Sequence, residues 1–236
     1  MKIMKLLVVI PTYNEIENIT RFILAVMAQI EDCGGNILVV DDGSPDGTGK
    51  AVKVMQTDYP DSLFLLERNS KSGLADAYLT GFRWGEEHCY DVFLEMDADF
   101  SHKPEYIPEM LKQIKENDVV IGSRNIKGGA VEGWSVLRNF VSKGGSLYSR
   151  MVLHCPVKDL TGGFNMWTRK ALDAINLDRI VSRGYSFQIE MKYRAYKSGM
   201  KIKEIPIIFP DRQAGKSKMS KKIFVEAFVK IWKIRY

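Results

Sequence analysis

The sequence predicts an α/β fold with a mostly parallel central sheet and helices on both faces. Short runs rich in Val, Ile and Leu, such as "LLVVI" and "NILVV", recur in the first half of the chain, and uniformly apolar strands are typical of a sheet buried on both faces. Segments with helical periodicity alternate with these runs, which indicates βα units. Three runs end in polar segments, "PTYNE", "DDGSPDGT" and "DADFSH". Ligands bind outside the carboxyl ends of strands in such sheets, so we expect these segments to lie together at one edge.

The elements of the first half follow from this alternation of periods. Apolar runs of four to six residues predict strands, and longer amphipathic segments between them predict helices. The predicted strands are residues 5–10, 36–41, 63–67, 92–96 and 118–122. The predicted helices are residues 15–31, 47–57, 73–88 and 104–116.

The second half of the chain is less regular. Residues 128–133, "GGAVEG", and 211–218, "DRQAGKSK", are predicted as loops. The predicted helices are 134–153, 185–198 and 219–236, and the predicted strands are 165–168 and 203–209. Because there is no repeat or linker, we expect one domain over residues 1–218, with 219–236 either part of it or a membrane-surface element.

The composition is that of an ordinary globular protein, with 236 residues, 45% of them hydrophobic and 27% charged. The apolar runs are far shorter than the roughly 20 residues that a membrane span needs, and the apolar N-terminal run is interpreted as a strand rather than a signal peptide. Three widely spaced cysteines favour a reducing compartment over a disulfide framework. The sequence contains no CxxC or HxxxH spacing, so we do not expect a structural zinc site.

The positive charge is concentrated at the C-terminal end. The net charge is +5, and residues 212–236 contain eight Lys or Arg and one Glu. This predicts a local anionic partner, such as phosphate or a membrane surface, rather than nucleic acid. In the helix predicted at 219–236, an apolar stripe with Phe224, Phe228 and Trp232 lies against a lysine-rich face.

Two carboxylates, Asp97 and Asp99, follow the strand predicted at 92–96. Like charges held close raise each other's pKa unless a cation lies between them, and Mg²⁺ or Mn²⁺ prefers carboxylate and phosphate oxygens. The pair therefore predicts a divalent cation that bridges to a phosphorylated ligand. Asp41 and Asp42 end a neighbouring strand, although helix capping is the alternative for such aspartates, above all for Asp46.

The segment "PTYNE" after the first strand offers an aromatic ring and a carboxylate to a nucleoside. It is equally typical of a capped helix start, with Thr12 or Asn14 as the cap. There is no Walker A motif, and no GxGxxG follows the first strand. A P-loop NTPase or a standard dinucleotide-binding site is therefore disfavoured.

Several basic residues are candidates for binding phosphate. Arg124 follows the "VVIGS" run and should reach the same edge as the aspartates. Arg138 and Ser142 are four residues apart on one helix face and could hold a phosphate together, although a lone Arg is as often a solvated surface residue. Arg212 and Lys218 lie in a loop with Gly and Ser that could close over anions.

Seven motifs follow one another along residues 6–218: "VVIPTYNE", "VVDDGSPDGT", "MDADFSHKPE", "IGSRNIKGG", "DLTGGFNMWTRKAL", "GYSFQIEM" and "DRQAGKSK". Taken together and in this order, they resemble the family 2 glycosyltransferases, in particular the dolichyl- or polyprenyl-phosphate mannosyltransferases. The chain lacks the Gln-x-x-Arg-Trp signature of the processive synthases in that family.

The resemblance implies a GT-A (Rossmann-like) catalytic domain over 1–218, a GDP-mannose donor, a dolichyl or polyprenyl phosphate acceptor, Mg²⁺ or Mn²⁺, and inversion at the anomeric carbon. It assigns donor binding to Pro11, Tyr13, Glu15, Val40, Asp42, Asp97, Ala98, Asp99, Arg212 and Lys218. It assigns the acceptor phosphate to Arg124, Arg138 and Ser142, and the metal to Asp97, Asp99 and Ser101. Asp99, as the main metal ligand, and Arg124, which would aim the acceptor oxygen, are the expected catalytic residues.

The chain departs from the family pattern at two positions and in its extent. Ser101 stands where many relatives have Gln, so water is expected to complete the metal shell. Ser186 stands where some relatives have Lys, which puts one donor contact in doubt. Some relatives continue into transmembrane hairpins, and this chain does not, so we expect a peripheral enzyme at the cytoplasmic face of a membrane or bound to a small membrane-embedded partner.

The expected chemistry agrees with the absence of an obvious catalytic base. A phosphate monoester is largely ionised near pH 7, because its second pKa is about 6, so no base is needed. His102 is expected to shape its loop rather than to act chemically. The alternatives are a UDP-sugar transferase, a non-catalytic nucleotide-sugar binding module, and a phosphoreceiver domain, which would be about half this length.

Overall fold

The structure, a computed structural model, describes residues 4–69, 73–210 and 231–235. Its strands are β1 (Leu6–Thr12), β2 (Asn36–Asp41), β3 (Leu63–Glu67), β4 (Val92–Glu95), β5 (Val119–Ser123), β6 (Ala130–Val131), β7 (Asn165–Thr168), β8 (Ile202–Pro206) and β9 (Ile208–Phe209). Its α-helices are α1 (Ile19–Ile30), α2 (Thr48–Gln56), α3 (Leu74–Glu87), α4 (Ile107–Gln113), α5 (Val136–Leu153), α6 (Arg169–Ile175) and α7 (Tyr185–Lys197).

Seven of these strands form the central sheet, in the order β3-β2-β1-β4-β7-β5-β8. β7 runs antiparallel to both of its neighbours, β4 and β5, and every other pair in this sheet is parallel. This confirms the predicted α/β fold with a mostly parallel sheet. The carboxyl ends of β1 to β5 therefore share one edge of the sheet, where β7 begins.

Helices cover both faces of the sheet and bury its alternating side chains. Along β1, Leu7 and Val9 belong to one apolar core, and Leu6, Val8 and Ile10 belong to the other. The first core includes buried residues of α3, α5, α6 and α7, and the second those of α1, α2 and α4. The loops at the carboxyl edge are therefore supported from both sides.

Helix α3 lies especially close to the sheet because of two glycines. A Cβ atom added at Gly81 or at Gly85 would stand 2.4 Å from Val9 or from Phe93, respectively. Any side chain at these positions would push α3 off the sheet. Tyr78 of α3, which contacts the Asp-x-Asp loop described below, would move with it.

The structure corrects three expectations for the second half. The loop predicted at 128–133 contains β6, which pairs in parallel with β9. The strand predicted at 203–209 is two strands, because β8 pairs with β5 as far as Pro206 and β9, after Ile207, pairs with β6. The helix α6 was not predicted, although its N-cap is an ordinary one: the Thr168 hydroxyl accepts a hydrogen bond from the Ala171 N–H.

The described part of the C-terminal segment, residues 231–235, is helical and contacts α5. Ile231 is buried in the first core. The indole N–H of Trp232 donates to the hydroxyl of Tyr148 at 3.0 Å, and Arg235 donates to the carbonyl of Val152 at 3.0 Å. These residues therefore pack against α5, and residues 219–230 lie outside the described ones. Within the described ranges, no helix combines the length and the hydropathy that spanning a membrane requires.

Candidate active site

The loops after β1 and β2 are tied together by hydrogen bonds at the carboxyl edge of the sheet. The N–H groups of Asn14, Glu15 and Ile16 donate to the side chains of Ser44, Thr48 and Asp46, at 2.9 to 3.1 Å. Pro11 and Val40 are direct neighbours in the register of β1 and β2. The structure thus brings together the expected donor-binding residues Pro11, Tyr13, Glu15, Val40 and Asp42.

Two aspartates of "DDGSPDGT" have structural roles. Asp41 is buried and accepts hydrogen bonds from the Thr12 hydroxyl at 2.8 Å and from the backbone N–H and hydroxyl of Ser44. Asp46 accepts from the N–H and hydroxyl of Thr48 at the start of α2. Burial acts to raise the pKa of Asp46, but these hydrogen bonds outweigh it and hold the pKa below its ordinary value. Asp46 thus accepts from the first N–H of α2, although the N-cap residue of this helix is Gly47.

Asp42 has different surroundings. Its Oδ2 accepts from the N–H of Gly73 at 3.3 Å, and its Oδ1 lies 3.0 Å from NH1 of Arg68. Both atoms of this ion pair are buried, yet they are not aligned as a hydrogen bond. A buried polar atom without an aligned hydrogen-bond partner is uncommon in folded proteins, so this pair is a candidate position for ligand contact. Arg68 was missed by sequence reasoning, although it directly follows β3 as Arg124 follows β5.

The Asp-x-Asp segment forms a tight loop after β4. The hydroxyl of Tyr78 donates to Oδ1 of Asp97 at 3.1 Å, and Nδ1 of His102 accepts from the Asp97 N–H at 2.9 Å. The N–H of Ser101 donates to Oδ1 of Asp99 at 3.0 Å. His102 is buried and stacks on Phe164. This geometry supports the expectation that His102 shapes the loop.

Negative charge is concentrated at this loop. Burial raises the pKa of Tyr78 well above its ordinary value, and so do the charges of Asp97, Glu95 and Asp99. Among the described residues, no group of three or more His, Cys, Asp and Glu side chains has the geometry of a complete metal site. Asp97, Asp99 and the hydroxyl of Ser101 nevertheless fit Mg²⁺ or Mn²⁺, because these cations usually take one or two carboxylates and complete their shell with water and phosphate.

A buried polar layer lies beneath the loop. Oε2 of Glu95 accepts hydrogen bonds from the side-chain amides of Asn165 and Gln188, each at 2.8 Å. Burial raises the pKa of Glu95, against the lowering effect of these two hydrogen bonds. Lys192, also buried, donates to the carbonyls of Asp159 and Gly162 at 2.8 and 2.7 Å, and burial lowers its pKa.

Arg124 directly follows β5, and the Asp159 carboxylate and the Thr161 hydroxyl accept hydrogen bonds from its guanidinium. Its Nε and NH2 donate to the two carboxylate oxygens of Asp159 at 2.8 and 2.7 Å, and NH2 also donates to the hydroxyl of Thr161 at 3.0 Å. The rings of Trp134 and Phe209 lie 5.8 and 5.3 Å from the guanidinium carbon. Burial acts to raise the pKa of Asp159, but the charge of Arg124 outweighs it and holds that pKa well below its ordinary value.

Helix α5, which carries Arg138 and Ser142, is linked to Arg124. The hydroxyl of Ser146, one helical turn after Ser142, lies 3.2 Å from the hydroxyl of Thr161, and Thr161 in turn accepts from Arg124. Residues four apart share a helix face, so Ser142 lies on the α5 face that is linked to Arg124, and Arg138 belongs to the same helix. Arg212 and Lys218 lie outside the described residues.

The fold is that of the GT-A class. A family model described as "Glycosyl transferase family 2" matches residues 7–175. The chain belongs to this family, which confirms the resemblance seen in its motifs.

Two relatives are similar over nearly the whole chain. An undecaprenyl-phosphate mannosyltransferase of Micrococcus luteus is 43% identical over 228 residues, which are 97% of this chain and 93% of that protein. A polyprenol monophosphomannose synthase of Mycolicibacterium smegmatis is 42% identical over 232 residues, 97% of this chain and 87% of that protein.

Solved structures confirm the fold class. A mannosyltransferase from Pyrobaculum calidifontis, solved with GDP-Man and Mn²⁺, superposes with a TM-score of 0.65 at 18% identity. The match covers 97% of this chain and 64% of that one. At this identity the likeness shows the fold alone.

Proposed function

We propose that the protein transfers mannose from GDP-mannose to a dolichyl or polyprenyl phosphate, with inversion, giving polyprenyl-phosphate mannose and GDP. The names of the two relatives support the sugar and the acceptor, and the GDP-Man complex of the structural neighbour supports the donor. The single observation that carries the proposal is the chain of contacts from Arg124 through Thr161 to α5. These contacts join Arg124 to the helix that contains Arg138, and Arg124 follows β5 at the same edge of the sheet as the Asp-x-Asp loop.

On the donor side, the linked loops after β1 and β2 would hold the guanosine. Tyr13 would supply an aromatic face, and the Asp42 carboxylate would accept the N–H groups of the base. Glu15, Pro11 and Val40 would line the same site. Asp97 and Ala98 would lie beside the diphosphate, and Arg212 and Lys218 would bind its oxygens.

The metal site belongs to the same proposal. Asp97, Asp99 and Ser101 would hold Mg²⁺ or Mn²⁺, with Asp99 as the main ligand. When bound, the cation would neutralise charge that develops on the nucleoside diphosphate as it leaves. The hydrogen bonds from Tyr78 and from the Ser101 N–H would hold the two carboxylates in place.

On the acceptor side, the protein would hold the lipid phosphate close to the donor diphosphate although both groups are anions. Arg124, Arg138 and Ser142 would bind the lipid phosphate and aim one of its oxygens at the anomeric carbon from the side opposite the diphosphate. The new carbon–oxygen bond forms as the bond to GDP breaks, which inverts the anomeric configuration. Because the attacking oxygen is already ionised near neutral pH, positioning is the main contribution of these residues.

The protein would reach its lipid substrate from the membrane surface, at its cytoplasmic face, or through a small membrane-embedded partner. Leu147 and Met151, four residues apart on α5, are 52% and 61% exposed, and Trp232 is 47% exposed. Near Trp232, the C-terminal end of the sequence is rich in Lys and Arg. An interfacial surface combines both features.

A donor screen with a short polyprenyl phosphate tests the proposal. We expect transfer from GDP-mannose in Mg²⁺ or Mn²⁺, and little from UDP-glucose or UDP-N-acetylglucosamine. The one-bond coupling between C1 and H1 of the product would report inversion, because the H1–H2 coupling of mannose is small in both anomers. Preference for a UDP-sugar would replace the donor assignment, and hydrolysis without lipid product would indicate a binding module instead.

A further inference from the structure

We propose that Asp159 is a positioning residue that presets Arg124 for the acceptor phosphate. This inference rests on the proposed function, in which Arg124 contacts that phosphate. It concerns a residue of the loop between α5 and β7, far along the chain from Arg124, and the contacts between the two residues are the basis of the argument.

The Asp159 carboxylate accepts hydrogen bonds from both the backbone and the side chain of Arg124. Its two carboxylate oxygens accept from Nε and NH2 of the guanidinium, and one of them also accepts from the Arg124 backbone N–H at 3.0 Å. A bidentate pair fixes the plane of a guanidinium as well as its distance. Because one carboxylate holds both the backbone and the side chain of Arg124, the orientation of the Arg124 guanidinium depends on the position of Asp159.

Asp159 is itself immobilised by the core. It is 0% exposed. Its backbone N–H donates to Glu204 of β8 at 2.9 Å, its carbonyl accepts from Lys192 of α7 at 2.8 Å, and its Oδ1 accepts from the N–H of Gly162 at 2.9 Å. These partners belong to different elements of the domain, so Asp159 gives Arg124 a rigid reference point.

Thr161, two residues further on, extends this arrangement to α5. Its hydroxyl accepts from NH2 of Arg124 at 3.0 Å and lies 3.2 Å from the hydroxyl of Ser146. The segment "DLT" therefore sets the position of Arg124 relative to the helix that carries Arg138 and Ser142. A phosphate bound by residues of both elements needs this spacing to be fixed.

Positioning and charge give opposite expectations for the same substitution. Asp159→Asn keeps the shape of the side chain but removes its negative charge. If Asp159 mainly neutralised Arg124, the variant would attract a phosphate more strongly. If Asp159 positions Arg124, the variant binds the lipid phosphate more weakly despite its added positive charge.

The experiment compares Asp159→Asn with the wild type in steady-state transfer from GDP-mannose to a short polyprenyl phosphate. We expect the KM for the lipid phosphate to rise roughly ten- to a hundred-fold, as for a lost charge-assisted contact, with the KM for GDP-mannose nearly unchanged. The matched control is Glu190→Gln, which removes another buried carboxylate that pairs with an arginine, Arg194, at 2.7 Å. It should lower thermal stability without raising the KM for the lipid.

A second variant covers the case in which Asp159→Asn does not fold. Thr161→Val removes one hydroxyl of a partly buried residue and should raise the KM for the lipid phosphate several-fold. A KM for the lipid that falls in Asp159→Asn, or that stays unchanged in both variants, overturns the inference.

Arg124→Ala separates failure of the inference from failure of the proposed function. If Arg124→Ala leaves lipid use unchanged, the acceptor assignment of the proposed function is wrong. If Arg124→Ala impairs lipid use and Asp159→Asn does not, only the positioning role is wrong. In an Arg124→Ala background, Asp159→Asn should have little further effect on the KM for the lipid, because the two residues act as one unit.

Discussion

The buried hydroxyl of Tyr78 donates a hydrogen bond of 3.1 Å to Oδ1 of Asp97 and so joins α3 to the Asp-x-Asp loop. The Tyr78 ring stacks with Phe82 and Phe187 in the apolar core. The orientation of one proposed metal ligand therefore depends on a side chain that has no contact with solvent.

For Tyr78→Phe, we expect Mn²⁺-dependent GDP binding to weaken by roughly two- to ten-fold, since a net hydrogen bond contributes about 0.5–1.5 kcal/mol. The aromatic packing is retained. Isothermal titration of GDP in Mn²⁺ would measure the change. The control is Tyr90→Phe, which removes a comparable hydroxyl that donates to Asn36 at 2.8 Å, away from this loop. Equal losses in both variants would contradict a specific role for Tyr78.

For Asp99→Ala, we expect transfer to be abolished while the fold is retained, because this loop residue contributes little to either apolar core. Asp99→Asn, which keeps an oxygen for the Ser101 N–H, should be equally inactive. Chelation of divalent cations should inactivate the wild type. Full activity in excess chelator would rule out the metal assignment.

For Arg138→Ala, we expect a selective loss of lipid-phosphate use. A charge-assisted contact contributes roughly 1.5–3 kcal/mol, or about a ten- to hundred-fold rise in the KM for the acceptor. Donor affinity, measured by GDP titration, should be unchanged. A variant that lost donor affinity and kept its acceptor affinity would show that Arg138 belongs to the other side of the site.

The Arg124–Asp159 pair should also affect stability, in a way that depends on pH. Since the folded-state pKa of Asp159 lies well below its ordinary value of 3.8, the pair stabilises the fold fully above about pH 4, and this contribution declines progressively as the pH falls from there toward the folded-state pKa. Asp159→Asn should cost about 3–5 kcal/mol near pH 7. Urea unfolding from pH 3 to pH 7 would test this. A difference from the wild type that does not shrink at the acidic end would contradict it.

Core packing by the C-terminal segment and membrane contact by α5 can be tested separately. Ile231→Ala should lower the free energy of unfolding by about 2–5 kcal/mol, because Ile231 is 3% exposed in the first core. The double variant Leu147→Asn, Met151→Asn should keep its stability but sediment less with anionic vesicles. Vesicle binding that is unaffected by this variant and by high salt would rule out the proposed membrane surface.

Prediction from sequence worked best where one local pattern determines an element. β2, β3 and β7 have the predicted bounds, because each is a short apolar run that ends at a polar residue or a turn. β6 and β9 were not separated from their surroundings, because two-residue strands carry no periodicity and depend on partners distant in sequence. α6 has only seven residues, which are too few for a clear helical periodicity, and its N-cap, Thr168, is its main sequence signal.

At the site, strand-end placement identified the residues that the loops present at the sheet edge. It did not identify Asp159, because nothing near Asp159 in sequence indicates that its carboxylate meets Arg124, 35 residues earlier. Nor could it distinguish Asp41, which holds the loop, from Asp42, which pairs with Arg68. Those assignments depend on which donors surround each carboxylate, and only the tertiary structure shows this.

The antiparallel strand β7 also determines the order in which the sheet can be assembled. The partners that β1, β2 and β3 have in the sheet all lie within the first 95 residues, but β5 pairs only with β7 and β8 in the described part of the chain. β5 must therefore wait for strands that are synthesised more than 40 residues later. On a ribosome, the half that would bind the nucleotide can become structured first, while the half that would bind the lipid phosphate is completed only when β7 inserts beside β4.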